Sequence, residues 1–258
     1  MKISALLFDL DGTIYRGEDV IEGASEFIQS LSIPYLFVTN RGNRTPETVA
    51  EQLRAMGIDC EQSDVLTSAQ ALASYLKTPS SAYCIGEEGL YTALMDCGIT
   101  ITEEAPDYVV VSYDRSFDYN KLLKALRFIK QGSKFVATNE DTVIYLEDGI
   151  APETGPLVAA IENATGVKAK IIGKPHSIVM EAAFSKLQIE HEECVMIGDN
   201  LDTDILAAQN IGIRSVLMLT GVSTLEEAER GRIQPTWIAN DYSDLQRQLF
   251  GNQKEKRK

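Results

Sequence analysis

The chain is short of the residues that build soft-metal and disulfide sites. Only two histidines, His176 and His191, occur among its 258 residues, too few for a His-rich zinc centre. Its four cysteines, Cys60, Cys84, Cys97 and Cys194, stand far apart with no C-x-x-C pair, the pattern of reduced, buried thiols in a cytosolic protein. No apolar run is long enough to span a bilayer, and the N-terminus lacks the apolar core and small-residue cleavage site of a leader. A soluble, cytoplasmic protein is expected. Positive charge is scarce too, with 24 Lys and Arg against 38 Asp and Glu, a net charge of −14 and a pI near 4.6. That field repels phosphate backbones and anionic lipid, which argues against nucleic-acid and membrane partners and obliges any phosphate site to bring its own cations. The basic run Lys254–Lys258 is short and reads as a solvated, frayed terminus.

What the chain does have is a series of strand-length apolar runs, each ending in polar residues. Ile3 to Leu7 reads as a buried strand, and Phe8-Asp9-Leu10-Asp11-Gly12-Thr13 follows it. Two carboxylates therefore sit at the C-terminal end of a strand, the edge at which open α/β sheets bind ligands. Like charges so close are costly unless a cation or proton joins them; the plain alternative is an Asp-Gly turn. Gly23 to Leu31 reads as a helix and Tyr35 to Val38 as a strand ending in Thr39-Asn40. Thr45 and Pro46 form an N-cap and first turn for a helix carrying Val49, Leu53 and Met56, and Ser68 to Leu76 reads as the next helix.

Thr78-Pro79-Ser80-Ser81 is a turn-rich break and a candidate domain boundary. A second βα series follows it, with strands at Ala82–Ile85, Tyr108–Val111 and Phe135–Ala137 and an amphipathic helix marked by Leu122, Leu126 and Ile129. Asn139 to Pro156 reads as loop, with Val143–Leu146 as a candidate extended piece. Leu157 to Asn163 resumes as helix, and Asn163-Ala164-Thr165 matches a glycosylation acceptor by chance within that helix end. Lys168 to Ile172 reads as a strand leading into Gly173-Lys174-Pro175, with Pro175 opening a helix to Leu187. Glu193 to Ile197 repeats the opening theme, an apolar strand followed by Gly198-Asp199-Asn200-Leu201-Asp202-Thr203-Asp204. A helix to Gln209 and strands at Ser215–Leu219 and Thr236–Ala239 complete the pattern.

Four places thus stand at strand ends or helix starts: Asp9/Asp11, Thr39/Asn40, Lys174 and Asp199/Asp204. Singly, each has an ordinary reading as a turn, a surface charge or an acidic helix N-terminus. Jointly they offer hard oxygen ligands for Mg²⁺ and the hydroxyl, amide and ammonium groups that hold a phosphoryl group. The acids lack the register of an EF-hand, and Pro175 stands where a P-loop needs Ser or Thr.

In this order, D-x-D-G-T at 9 to 13, T-N at 39 and 40, G-K-P at 173 to 175 and G-D-x-x-x-T-D at 198 to 204, the sequence resembles the haloacid dehalogenase-like hydrolases. More narrowly it resembles their NagD-like, 4-nitrophenylphosphatase-type branch with a type IIA cap. The resemblance implies an α/β fold: a Rossmann-like core with a mainly parallel sheet, formed by residues 1–78 and 173–250, an α/β cap inserted at 79–172, and a polar tail at 251–258. It also implies a Mg²⁺-dependent phosphatase. Asp9 would attack phosphorus and form an aspartyl-phosphate, while Asp11 would protonate the leaving oxygen and then activate water. Mg²⁺ would be held by Asp9, the Asp11 carbonyl and Asp199. Thr39 Oγ, the Asn40 amide and Lys174 would hold the phosphoryl group, Thr13 would orient Asp9, and Asp204 would orient Lys174 or a metal-bound water, with Asp202 ranked below it.

Two stretches depart from the branch's pattern. Arg41-Gly42-Asn43-Arg44 sets two cations where small polar residues are usual, and Pro152-Glu153-Thr154-Gly155 replaces a P-G-x-G pattern in the cap. The expected substrate is a small phosphorylated metabolite, a sugar phosphate or nucleotide. The alternatives are a phosphotransferase using the same site and a non-catalytic phosphate-binding or regulatory protein. Association into a homodimer is kept open.

Overall fold

Run length and alternation yield two sets of strands, and the computed structural model, which describes residues 2–146 and 149–251, sorts them into two mainly parallel sheets. The first has the strand order Trp237–Ala239, Arg214–Met218, Cys194–Gly198, Ala5–Phe8, Tyr35–Thr39, Val65–Thr67. Ala5–Phe8 is flanked by parallel partners on both sides, with Phe8 opposite Ile197 and Phe37. A strand covered on both faces needs apolar residues at every position, and Ala5 to Phe8 are all buried. Phe8 packs edge-on to Phe27 at 6.2 Å between ring centroids, which seats the helix Ala24–Ser30 on the sheet.

The second sheet lies wholly between residues 81 and 171, so the chain leaves the first sheet after Val65–Thr67 and returns to it at Cys194–Gly198. Its order is Lys170–Ile171, Lys134–Ala137, Tyr108–Val111, Ser81–Ile85, Thr100–Ile101, all parallel. Alternate strand residues, Tyr83 and Ile85, Val109 and Val111, Phe135 and Ala137, point to one face. There they pack against Ala125 and Ile129 of the helix Tyr119–Lys130 and Val158 and Ile161 of the helix Thr154–Thr165. The architecture is α/β with a Rossmann-like sheet, and an α/β insert interrupts the chain between two of its strands. Contacts divide the chain into two compact units. Among the described residues, one holds those up to Val38, Ala50–Val65 and those from Ala183 to Gly251; the other holds Thr39–Val49 and Leu66–Ala182.

Local signals mostly settle where elements begin. Thr45 Oγ1 accepts the Thr48 N–H at 3.1 Å, capping the helix Pro46–Ala55. Asn139 to Pro156 is more ordered than a loop: Val143–Leu146 pairs antiparallel with Gly149–Pro152, and the following helix begins at Thr154 with Glu153 as its cap. Pro175 does not open a helix; that helix is Ser177–Leu187. The helices Glu88–Asp96, Leu225–Arg230 and Tyr242–Phe250 are further elements that the sequence reading does not mark. Thr165 is buried at the end of its helix, while Asn163 of the glycosylation pattern is exposed. Three of the cysteines are buried and Cys97 partly so, all as free thiols. No helix among the described residues is long and apolar enough to cross a membrane, and the Lys254–Lys258 run lies outside those residues.

Candidate active site

In the first unit, three carboxylates from distant positions meet. Asp9 follows Ala5–Phe8 and continues its ladder, donating its N–H to Ile197 O at 2.9 Å. Asp199 follows Cys194–Gly198, and Asp204 lies on the wide turn Leu201–Ile205 that begins the next helix. One oxygen from each of Asp9, Asp199 and Asp204 lies within 4.8 Å of the others. Parallel pairing brings the two strand ends together, and the wide turn folds Asp204 back, its carboxylate accepting the Asn200 N–H at 3.1 Å. Asp199 and Asp204 are both about 1% exposed, and acids so buried favour a bound cation. An all-oxygen donor set suits a hard divalent ion, so the residues present fit Mg²⁺.

Glycines make this cluster sterically feasible. Gly12 has a φ of 81°, and a Cβ there would lie 2.3 Å from Asp199 Oδ2. Gly221 approaches even closer, leaving no room for any side chain beside that carboxylate. The neighbouring Val222 N–H donates to Asp199 Oδ2 at 2.7 Å, and Thr13 Oγ1 to Asp199 Oδ1 at 3.4 Å. Thr220 Oγ1 donates to Gly12 O at 2.7 Å. Sequence reasoning missed this 220–223 loop, whose one cue was its Thr-Gly after an apolar strand. It also missed Tyr242, whose buried hydroxyl donates to Thr13 O at 2.7 Å. Burial, and then the charge of Asp9, push the Tyr242 pKa far up, so the phenol stays a neutral donor. Asp11 is half-buried and bridges to Tyr15; Asp202 is exposed.

The second unit gathers the other motif residues. Thr39 is buried, and its Oγ1 accepts the Arg41 N–H at 3.1 Å. The Asn40 side chain grips the main chain of Lys174 at both ends: Oδ1 accepts the Lys174 N–H at 2.8 Å, and Nδ2 donates to the Lys174 carbonyl at 2.9 Å. Lys174 itself is about 2% exposed, unusual for an ammonium. A Cβ on Gly173 would lie 2.6 Å from Asn40 Oδ1, so the glycine permits this grip. Arg41 and Arg44 are half-buried. Gly42 between them is walled in by Ser112, Thr138 and Ser68, and Asn43 O accepts the Gly89 N–H at 3.0 Å.

A family model described as haloacid dehalogenase-like hydrolase matches residues 6–100, and a second, HAD-hydrolase-like model matches residues 171–245. An acid sugar phosphatase of Staphylococcus aureus is 40% identical over 250 residues, which cover 94% of this chain and 96% of that protein. The crystal structure of a thermostable NPPase double mutant from Geobacillus stearothermophilus shares 41% identity at a TM-score of 0.89, over 95% of this chain and 98% of that one. A glycerol phosphate phosphatase from Mycobacterium tuberculosis, solved in complex with magnesium, shares 32% identity at a TM-score of 0.89, over 95% of this chain and 76% of that one.

Proposed function

We infer the function from a plain premise: the chain belongs to the haloacid dehalogenase-like hydrolases, on their NagD-like, 4-nitrophenylphosphatase-type branch, and is a phosphatase of that family. The finer reading is a Mg²⁺-dependent phosphomonoesterase that acts in the cytoplasm on a small phosphorylated metabolite. Sugar phosphates lead the candidates, since the relatives include an acid sugar phosphatase and a glycerol phosphate phosphatase. The observation that carries it is the convergence of Asp9, Asp199 and Asp204 within 4.8 Å.

In this reading an Asp9 oxygen attacks phosphorus as the ester oxygen leaves, and Asp11 gives that oxygen its proton. Asp11, now a carboxylate, takes a proton from water, whose oxygen attacks the aspartyl-phosphate and releases phosphate and Asp9. Thr39 Oγ and the Asn40 N–H hold equatorial oxygens, and the Lys174 ammonium offsets charge on the phosphoryl group. Asp9, the Asp11 carbonyl and Asp199 are the residues that would hold Mg²⁺, with Asp204 orienting Lys174 or a metal-bound water and Thr13 bonded to Asp199. When bound, the ion supplies positive charge that lowers the repulsion between a carboxylate nucleophile and a phosphate dianion. Residues 79–172 serve as the cap that selects the substrate.

The experiment is phosphate release from an aryl phosphate with MgCl₂, comparing the wild-type protein with Asp9→Asn. A fall of at least about 10³-fold is expected, because the amide is no nucleophile. Activity surviving the substitution removes Asp9 from the mechanism.

A further inference from the structure

Resting on the phosphatase reading above, we propose that Asp141, together with Asn139, is a positioning residue that sets the geometry of Asn40 and Lys174. The Asn40 amide can grip Lys174 in one orientation only, with Oδ1 toward the N–H and Nδ2 toward the carbonyl. Turned over, it would oppose donor to donor and acceptor to acceptor. A third partner holds the amide in that same orientation. Asp141 Oδ2 lies 3.1 Å from Asn40 Nδ2, and an ionised carboxylate only accepts, so it requires the amide nitrogen on its side.

The same short segment holds the rest of residue 40. Asn139, fully buried, donates from Nδ2 to the Asn40 carbonyl at 2.9 Å, where Ser68 Oγ also donates at 2.6 Å. Asn139 Oδ1 in turn accepts the Asp141 N–H at 3.0 Å, tying the two positioning side chains together. Behind them, the Asp141 carbonyl accepts the Gly155 N–H at 2.9 Å. A Cβ on Gly155 would lie 2.5 Å from the Glu140 carbonyl and 2.8 Å from that of Asp141, so the backbones pack directly. Every donor and acceptor of Asn40 named here is spent on structure. The side chain therefore holds Lys174, and residues 139 and 141 hold the side chain. The segment 139–141 follows the strand Lys134–Ala137 and supplies none of the groups assigned to phosphoryl transfer.

The test compares Asp141→Ala and Asp141→Asn with the wild-type protein in two measurements. Hydrogen exchange at the Lys174 amide reads the grip without any substrate. Values of kcat and KM for an aryl and an alkyl phosphate, with the inhibition constant of inorganic phosphate, read its effect on phosphoryl binding. Asp141→Ala should deprotect the Lys174 amide and lower kcat/KM by about 10- to 100-fold, the scale of a small misplacement. Both substrates should lose the same factor, and phosphate should bind more weakly. Asp141→Asn keeps an acceptor oxygen for Asn40 Nδ2 and should recover most of each loss.

Unchanged Lys174 exchange in Asp141→Ala overturns the proposal, as does a loss confined to one substrate, which would mean direct contact with the leaving group. Asp141→Asn failing as badly as Ala also overturns it, since charge rather than orientation would then matter. If the wild-type protein released no phosphate from any monoester, the phosphatase reading would fall. The exchange measurement would still decide whether Asp141 sets the grip.

Discussion

Glu153 offers the sharpest test of electrostatics in the second unit. It caps the helix Thr154–Thr165, accepts the Thr154 N–H, and is about 4% exposed. Burial, and to a lesser degree the nearby charge of Asp141, push its carboxyl up from 4.5 to about 7, against the opposing hydrogen bonds from Thr154 and Asn139. Because the folded pKa lies above the unfolded one, the native state holds this proton more tightly between the two values. Its contribution to stability is therefore fully present below 4.5 and is lost as pH rises through 7. From 4.5 to 7 is 2.5 units, and at about 1.4 kcal/mol per unit the loss is about 3 kcal/mol. Glu153→Gln keeps an oxygen for the Thr154 N–H but never ionises, so its stability should lack this component. Thermal unfolding of both proteins from pH 5 to 8.5 checks this. The midpoints should lie close together at the acid end, and the variant should lead by about 5–10 °C at the alkaline end. Two curves that stay parallel across the range would refute a buried, proton-holding Glu153.

Gly12→Ala should abolish activity and weaken Mg²⁺ binding, since a Cβ would lie 2.3 Å from Asp199 Oδ2 on a backbone with φ of 81°; wild-type titration of activity with Mg²⁺ would contradict this. Asp199→Ala should raise the Mg²⁺ concentration for half-maximal activity by at least about tenfold, and an unchanged requirement would remove Asp199 from the ligand set.

Much of the site was legible because its signals are local in sequence. Asp9 and Asp11 stand directly after an apolar strand-length run, and Asp199 after another, so their place at strand ends followed from run length alone. Helix starts were equally readable where a side chain caps its own turn, as Thr45 does. Reading failed where stability comes from partners far along the chain. The helix Tyr242–Phe250 carries Tyr242, Leu245, Leu249 and Phe250 at helical spacing, but nothing in that pattern shows that the Tyr242 hydroxyl bonds to Thr13 O across 229 residues of sequence. Glu153 read as part of a polar loop because nothing nearby in sequence shows that a carboxylate there will be buried.

By itself, then, the sequence determined the chemistry on offer: which acids, hydroxyl, amide and lysine stand at the ends of which strands, and in what order. These are properties of composition and period, which a strand carries wherever it is placed. Tertiary structure alone decided how those groups meet. Parallel pairing of Ala5–Phe8 with Cys194–Gly198 set Asp9 beside Asp199, and glycines at 12, 198 and 221 let the acids approach. The Asn40 amide was expected to act through its backbone. Its side chain became the clamp on Lys174 because folding brought residues 134 positions apart within hydrogen-bonding distance, a meeting that no pattern within either segment encodes.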